Sequence, residues 1–281
     1  MTVVVSLINM KGGVGKTTLA AQISLAASAA RRKVLAVDLD PQANLSHSLM
    51  GATRYLGHLA DFRPTVVQIF EQYSPAAKTG APSLVSPRDV VVEKAGHSWG
   101  RTNLDLIPSR LELAHTLRNS FGKERALVKA LAAISADYDI VVIDCPPTES
   151  MLTEAAYFAS RYVVVPVKPE FLAAIGLPLL ARSLSDHKQQ NADQRIDIAG
   201  IVFNHSSSYS AGPEARQSIN EVSDLAAKNK WPVFETHIRY SASYAKAARE
   251  ASLIDSTSYV RWEVRSNFAR FFEEFLNAVG A

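Results

Sequence analysis

A glycine-rich loop near the start of the chain is the feature that most constrains its fold. The loop follows the apolar run Val3–Ile8 and precedes the Ala/Leu-rich stretch Thr17–Arg31. Glycines let a backbone turn so that successive N–H groups point at a phosphate, and the N-terminus of the next helix adds a partial positive charge. The sequence therefore predicts a strand, a phosphate-binding loop and a helix. The loop consists of Lys11, Gly12, Gly13, Val14, Gly15, Lys16, Thr17 and Thr18.

Two side chains of this loop predict a nucleoside triphosphate with Mg²⁺. Lys16 is placed to contact the β- and γ-phosphates, and the hydroxyl of Thr17 to bind the metal. We therefore expect ATP and Mg²⁺ as cofactors. The loop departs from the general pattern, which has glycine five residues before Gly15. That position is Met10, and a second lysine, Lys11, follows it.

Three aspartates follow apolar runs further along the chain. Asp38 ends the run Lys33–Asp38, Asp40 follows two residues later, and Asp144 ends the run Ile140–Asp144. Open α/β sheets bind their ligands at the carboxyl ends of the strands. Phosphoryl transfer to water needs a metal and a group that orients the water. We expect Asp144 to serve the magnesium and the other two to lie at the same site, although Asp38 and Asp40 could instead cap a turn before Pro41.

Apolar runs alternate with helical stretches along the chain, which predicts a doubly wound, mostly parallel sheet flanked by helices. We expect one α/β domain over residues 1–281, with a helical and loop excursion at about 51–100. A surface insertion without its own function is the alternative for that excursion. The predicted strands are Val3–Ile8, Lys33–Asp38, Leu104–Pro108, Ile140–Asp144, Tyr162–Val167, Ile198–Asn204 and Val233–Ile238. The predicted helices are Thr17–Arg31, Lys123–Ala136, Thr153–Ser160, Ile175–Gln189, Pro213–Asn229 and Val260–Ala278.

Composition limits the compartment and the chemistry. Cys145 is the single cysteine, so the chain cannot form an internal disulfide or hold an iron–sulfur cluster by itself. We expect it to be a packed core residue. No apolar run approaches the roughly 20 residues of a membrane span. These features predict a cytoplasmic protein, and the formal net charge of +3 is too small to argue for a polyanionic partner.

Taken together, the phosphate loop with its second lysine and the three aspartates resemble the ParA/MinD family of deviant Walker A P-loop ATPases. The resemblance implies that Lys11 reaches across a dimer interface to the partner's nucleotide. It also implies that Asp40 orients the attacking water and that Asp38 helps to hold the magnesium shell. The run Gly200–Asn204 resembles the family strand whose terminal asparagine bonds the adenine, although Asn204 could simply cap a turn.

The resemblance is closest to ParA-type (Soj-like) partition ATPases. The loop begins within a dozen residues of Met1, so no N-terminal helix-turn-helix region is expected. The likeness implies an ATP-bound homodimer, non-specific DNA binding, nucleoid association and a ParB-like partner. After Asp144-Cys145-Pro146-Pro147 the family often has small residues and a glycine. Here the run is Thr148-Glu149-Ser150-Met151, which departs from the family's second switch loop.

A local basic patch is the expected DNA-binding surface. Arg239, Lys246 and Arg249 would contact phosphates, with Tyr240 and Tyr244 interleaved. Basic and acidic residues are equal in number, nine each, from residue 201 to the end. A solvated face therefore stays open as the alternative.

Two other functions are weighed against DNA partition. MinD-like proteins use a C-terminal amphipathic helix at the membrane, but Glu273 and Glu274 would repel anionic lipid, so we expect residues 268–276 to pack on the sheet. No membrane association is expected. A metabolic ATP-dependent enzyme on the same fold is the remaining alternative, for which the sequence shows no substrate residues.

Overall fold

The computed structural model describes residues 2–71, 85–96, 102–119, 122–170, 173–205 and 212–281. For residues 119 and 173–175 only the backbone is described. These ranges form an α/β domain built on a six-stranded sheet. The strands are β1 Val3–Leu7, β2 Val34–Asp38, β3 Leu104–Ile107, β4 Ile140–Asp144, β5 Tyr162–Val167 and β6 Asp197–Phe203. Neighbouring strands are parallel throughout, in the order β3-β2-β4-β1-β5-β6.

Helices cover both faces of the sheet. Side chains of successive strand residues alternate between the two faces, so Val142 of β4 joins one apolar cluster and Val141 the other. The helices are α1 Lys16–Ala29, α2 Asn44–Met50, α3 Ala52–Ala60, α4 Val66–Glu71, α5 Leu113–Thr116, α6 Ala126–Ala132, α7 Met151–Ala159, α8 Ala173–Gln190, α9 Pro213–Asn229, α10 Ser243–Arg249 and α11 Trp262–Val279. The first cluster includes α1, α2, α10 and α11, and the second includes α4, α6, α7, α8 and α9. Burial on both faces explains the continuous apolar runs of the sequence and confirms the predicted fold class.

The predicted seventh strand, Val233–Ile238, is wrong. Val233 makes only an isolated parallel bridge to Ile201 of β6. The N–H of Phe234 donates to the carbonyl oxygen of Ile201 at 2.9 Å, and the N–H of Ile238 donates to that of Phe203 at 2.7 Å, so both ends of the segment bond to β6. Between them, the N–H groups of residues 235 and 236 donate to the carboxylate of Glu274 on α11 at 2.9 and 3.2 Å. A side-chain acceptor thus interrupts the ladder in the middle of the segment.

Two other predicted segments differ in extent. The helix predicted over Lys123–Ala136 is shorter, because α6 ends at Ala132 and a 3₁₀ turn follows at Ser135–Asp137. Within the predicted excursion at 51–100, α3 and α4 are helical as expected. Residues 72–84 and 97–100 of that excursion lie outside the described ranges, and its function is untested.

The final helix packs on the sheet, as predicted. Phe268, Phe271 and Phe275 of α11 are 0–3% exposed and lie in the first apolar cluster. The ring of Phe271 meets that of Phe234 edge-on, with centroids 5.3 Å apart. Within the described ranges, no helix has the length and apolarity needed to cross a bilayer.

Candidate nucleotide and magnesium site

The phosphate loop, residues 11–18, connects the buried end of β1 to the first turn of α1. Gly13 and Gly15 have φ of 72° and 91°, in the left-handed region that side chains disfavour. A Cβ at Gly15 would lie 2.0 Å from Nδ2 of Asn204. Strain and lack of space therefore both require glycine at position 15, in agreement with the predicted loop.

Lys16 is buried within this loop, with 6% of its surface exposed. Its Nζ donates to the carbonyl oxygens of Asn9 and Lys11 at 3.0 and 3.1 Å. Burial lowers the pKa of Lys16, and the nearby Asp144 opposes that effect. The ammonium thus lies among backbone oxygens at the position from which the sequence predicts a phosphate contact.

Asp38 and Asp144 end adjacent strands and lie side by side in the sheet register. Both are fully buried. Asp38 accepts hydrogen bonds from the N–H of Asp40 at 3.1 Å and from the N–H and hydroxyl of Ser46 at 2.8 and 2.7 Å. Among the residues described, neither carboxylate oxygen of Asp144 has a hydrogen-bond partner. The Thr17 hydroxyl is close enough to lower the pKa of Asp144, without a hydrogen bond of ordinary geometry.

Burial dominates the electrostatics of this pair. It raises the pKa of Asp38 to about 7 and the pKa of Asp144 well above its usual range, with repulsion from Asp38 adding to the second shift. Two buried carboxyl groups with an unpaired member fit a hard cation, which would supply the missing charge. The described ranges contain no cluster of three or more His, Cys, Asp or Glu side chains suited to a metal. A magnesium ion here would therefore draw on these carboxylates, Thr17, phosphate oxygens and water.

Asp40 lies at the edge of the pair and is partly exposed. Its Oδ1 accepts the N–H of Gln42 at 2.9 Å, and its carbonyl oxygen accepts the N–H of Ala43 at 2.9 Å. Asp40 therefore caps the local turn, the role we weighed as the alternative, and it also adjoins Asp38. The water-orienting role stays a prediction.

Lys11 does not point at its own loop. Its Nζ lies 3.2 Å from Oε2 of Glu170, which follows β5, and the side chain is 23% exposed. Lys168 also pairs with Glu170, and both lysines lower the pKa of that carboxyl, Lys168 more strongly. A role across a dimer interface, which the resemblance implies, stays a prediction and would require Lys11 to leave Glu170.

Asn204 directly follows β6 and packs against the loop. Its Nδ2 donates to the carbonyl oxygen of Val14 at 2.8 Å, and its Oδ1 accepts the N–H of His205 at 2.9 Å. The side chain is 3% exposed. Both ends of the amide are therefore used within the chain, and adenine binding by Asn204 stays a prediction.

Several supporting residues are absent from the sequence-based prediction. Asn9 donates to the carbonyl oxygen of Pro166 at 2.7 Å and accepts the N–H of Lys11 at 2.9 Å, so it ties the loop to β5. Ser46 holds Asp38 and accepts the N–H of Ser109 at 2.9 Å. Position 9, directly after a strand and before the loop, was a usable signal. For Ser46, Ser109 and Glu170 no local pattern pointed to the site.

The predicted DNA-binding residues come from two segments: Lys246 and Arg249 lie on α10, whereas Arg239 precedes it and its N–H donates to Oδ1 of Asn267 on α11 at 3.1 Å. We call Arg239, Lys246 and Arg249 the α10 surface. Arg239 and Arg249 are exposed. Lys246 lies 3.7 Å from Glu250, donates to the hydroxyl of Ser258 at 2.6 Å, and sits 5.2 Å from the ring centre of Tyr259.

One part of the predicted patch is wrong. Tyr244 is only 9% exposed and belongs to the first apolar cluster, because α10 turns this side chain inward with Ala247. Burial raises its pKa. Tyr240 is 63% exposed and remains available on the surface.

Comparison with known proteins shows the family of the chain. A family model described as an AAA domain matches residues 2–198. The chromosome partitioning protein ParA of Caulobacter vibrioides is 36% identical over 203 residues, covering 71% of this chain and 68% of that protein. The chain belongs to the ParA/MinD family of P-loop ATPases.

Two solved structures extend the family comparison. A variant of Cyanothece McdA in complex with ATP is 21% identical, with a TM-score of 0.79 and coverage of 99% of this chain and 96% of that chain. At that identity the likeness concerns the fold. A Mycobacterium smegmatis protein described as cobyrinic acid a,c-diamide synthase, with bound ADP and magnesium, is 31% identical. Its TM-score is 0.69, and the match covers 89% of this chain and 92% of that chain.

Proposed function

We propose that this protein is an ATP-dependent dimerisation switch that binds DNA non-specifically and hydrolyses ATP. In this role it partitions or positions a plasmid or chromosome cargo together with a ParB-like partner. It would act in the cytoplasm at the nucleoid. The relationship to a chromosome partitioning protein supports this class of function.

The observation that carries the proposal is the buried carboxylate of Asp144 beside the phosphate loop, which has no hydrogen-bond partner among the described residues. Lys16, the loop amides and the positive end of α1 would hold the triphosphate. Thr17, Asp38 and Asp144 would hold Mg²⁺, which when bound neutralises charge on the phosphates. The magnesium and nucleotide of the M. smegmatis relative support the same use of this site.

Hydrolysis would depend on Asp40. Its carboxylate is partly exposed next to the buried pair, so it can accept a hydrogen bond from a water placed at the terminal phosphate. The other two aspartates are fully buried and are less able to take a solvent-derived water.

Dimerisation would exchange one partner of Lys11 for another. The ion pair with Glu170 is partly exposed, and such pairs contribute at most about 1 kcal/mol. A phosphate on a facing subunit carries more negative charge than one carboxylate. Breaking the ion pair between Lys11 and Glu170 therefore costs little free energy compared with the proposed contact across the interface.

DNA binding would use the α10 surface, because its two exposed arginines can reach phosphates without desolvation of a buried group. Lys246 is partly engaged by Glu250 and is expected to contribute less. The balanced charge of the C-terminal region predicts weak affinity per subunit, which a dimer with two such surfaces would raise.

The direct test measures binding to a fluorescent DNA duplex of arbitrary sequence, with ATP and Mg²⁺, with ADP, and with no nucleotide. We expect tight binding only with ATP and Mg²⁺, together with a dimer in analytical ultracentrifugation. Equal binding in all three conditions would contradict a nucleotide switch. Binding to anionic vesicles in place of DNA would favour a MinD-like role.

A second candidate is a metabolic ATP-dependent enzyme on the same fold. The description of the M. smegmatis relative, at 31% identity, is the observation that favours it. ATP turnover stimulated by cobyrinic acid and unaffected by DNA would support this candidate over the first.

A further inference from the structure

Gln22 of α1 is a buried amide that binds the segment following α10 with both of its ends. Its side chain is 2% exposed. Nε2 donates to the carbonyl oxygen of Ser252 at 3.1 Å, and Oε1 accepts the N–H of Ile254 at 2.6 Å. An amide whose donor and acceptor are both used has one orientation. The contact therefore sets the position of this segment relative to α1.

The bound segment is itself attached firmly to α10. Ala251 adopts a left-handed conformation, with φ of 46°, and ends the helix. The N–H of Ser252 then returns to the carbonyl oxygen of Ala247 at 3.0 Å. A displacement of Ser252 is therefore passed to the C-terminal turn of α10, where Arg249 lies.

The other end of the connection is the nucleotide site. Helix α1 begins at Lys16, and Gln22 lies about 9 Å further along the axis of this helix. Helix α10 also packs on α2, whose Ser46 holds Asp38. Both helices beneath α10 thus carry a residue at or next to the predicted nucleotide and magnesium ligands. The apolar contacts of Ala247 allow sliding, whereas the Gln22 hydrogen bonds are directional.

We propose that Gln22 is a positioning residue that connects the phosphate loop to the α10 surface, so that ATP changes DNA affinity through this amide. The inference rests on the proposed function, because it needs a protein that binds both ATP and DNA. A purely structural Gln22 would affect the stability of the fold and leave the dependence of DNA binding on ATP unchanged.

The test compares Gln22→Met, which keeps the length of the side chain and lacks both hydrogen bonds, with the wild type. DNA affinity is measured with and without ATP and Mg²⁺, and ATP affinity is measured separately. We expect the ratio of the two DNA affinities to fall at least about fivefold, the lower end of typical coupling between sites. ATP affinity should stay within about twofold of the wild type.

Ser28→Ala is the matched control on the same helix. The hydroxyl of Ser28 also ties α1 to another segment, through Thr102 at 3.2 Å and the N–H of Asn103 at 3.1 Å, but away from α10. We expect this variant to keep the wild-type ratio. An equal loss in both variants would point to general loosening of α1 and overturn the inference.

Other results separate this inference from the proposed function. A ratio of DNA affinities in Gln22→Met equal to that of the wild type would overturn the inference alone, and so would a parallel loss of ATP affinity. A wild type without ATP stimulation would overturn the proposed function, and the inference with it. Should Gln22→Met not fold, hydrogen exchange of residues 250–258 in the wild type decides. A change in exchange on adding ATP supports the connection, and no change overturns it.

Discussion

The nucleotide site and the α10 surface differ in how their side chains are held. At the first, Lys16, Asp38 and Asp144 are almost fully buried and take their positions from adjacent strands and one loop. At the second, Arg239 and Arg249 are exposed, and Lys246 forms an ion pair with Glu250 and donates a hydrogen bond to Ser258. Buried charges with fixed partners allow a narrow range of chemistry, whereas exposed basic residues are compatible with many roles. Experiments on the two regions should therefore differ in the size of their effects.

The largest effect is expected for Lys16→Ala. Loss of two charge-assisted hydrogen bonds to phosphate should weaken ATP binding on the order of a thousandfold. Titration with a fluorescent ATP analogue measures the change, with the exposed Lys129→Ala as the control for loss of a lysine. Retained affinity in Lys16→Ala would mean that the nucleotide binds elsewhere.

Asp40→Ala should mainly affect turnover. Removal of a group that orients the attacking water is expected to slow hydrolysis about a hundredfold, with ATP binding little changed. The ATP-bound dimer should then persist in a sizing experiment. Turnover near the wild-type rate would leave Asp40 only its observed role as a turn cap.

The pH dependence of stability tests the buried carboxyl pair. The pKa of Asp38 is raised from 3.8 to about 7, so its contribution to stability is present at low pH and is lost as pH rises between about 4 and 7. Without magnesium, the wild type should lose up to about 1.4 kcal/mol of unfolding free energy per pH unit there, relative to Asp38→Asn. Urea unfolding at pH 5, 6 and 7 measures this difference. Parallel pH profiles for the two proteins would show that burial does not perturb Asp38 as described.

The smallest effect is expected on the α10 surface. Arg249→Glu should weaken DNA binding a few-fold and reduce the slope of log affinity against log salt by about 1. ATP affinity should be unchanged. Arg182→Glu, on α8, makes the same charge change at an 83% exposed side chain and is the control. Equal effects from both variants would show that net charge, and not this surface, governs DNA binding.

The predictions from sequence were most accurate for segments whose local apolar pattern directly reflects their burial in the folded protein. All six strands of the sheet were predicted within a residue or two, because burial on both faces requires continuous apolar runs. The segment Val233–Ile238 has a similar apolar start but does not form a regular strand. The N–H of Thr236 donates to Glu274, which lies 38 residues further along the chain. Tyr244 was wrongly predicted to lie on the surface. Its burial depends on the packing of α10 and not on its neighbours in sequence.

The amino-acid sequence by itself determined the phosphate loop, the six strands of the sheet, and the arrival of Asp38 and Asp144 at strand ends. These follow from backbone conformation and local apolar pattern, which are short-range properties. Tertiary structure alone decided that Asp144 has no partner among the described residues, that Lys11 meets Glu170, and that Gln22 binds the segment after α10. Each of these depends on which distant segments the folded sheet brings within hydrogen-bond distance, and no local pattern encodes that distance.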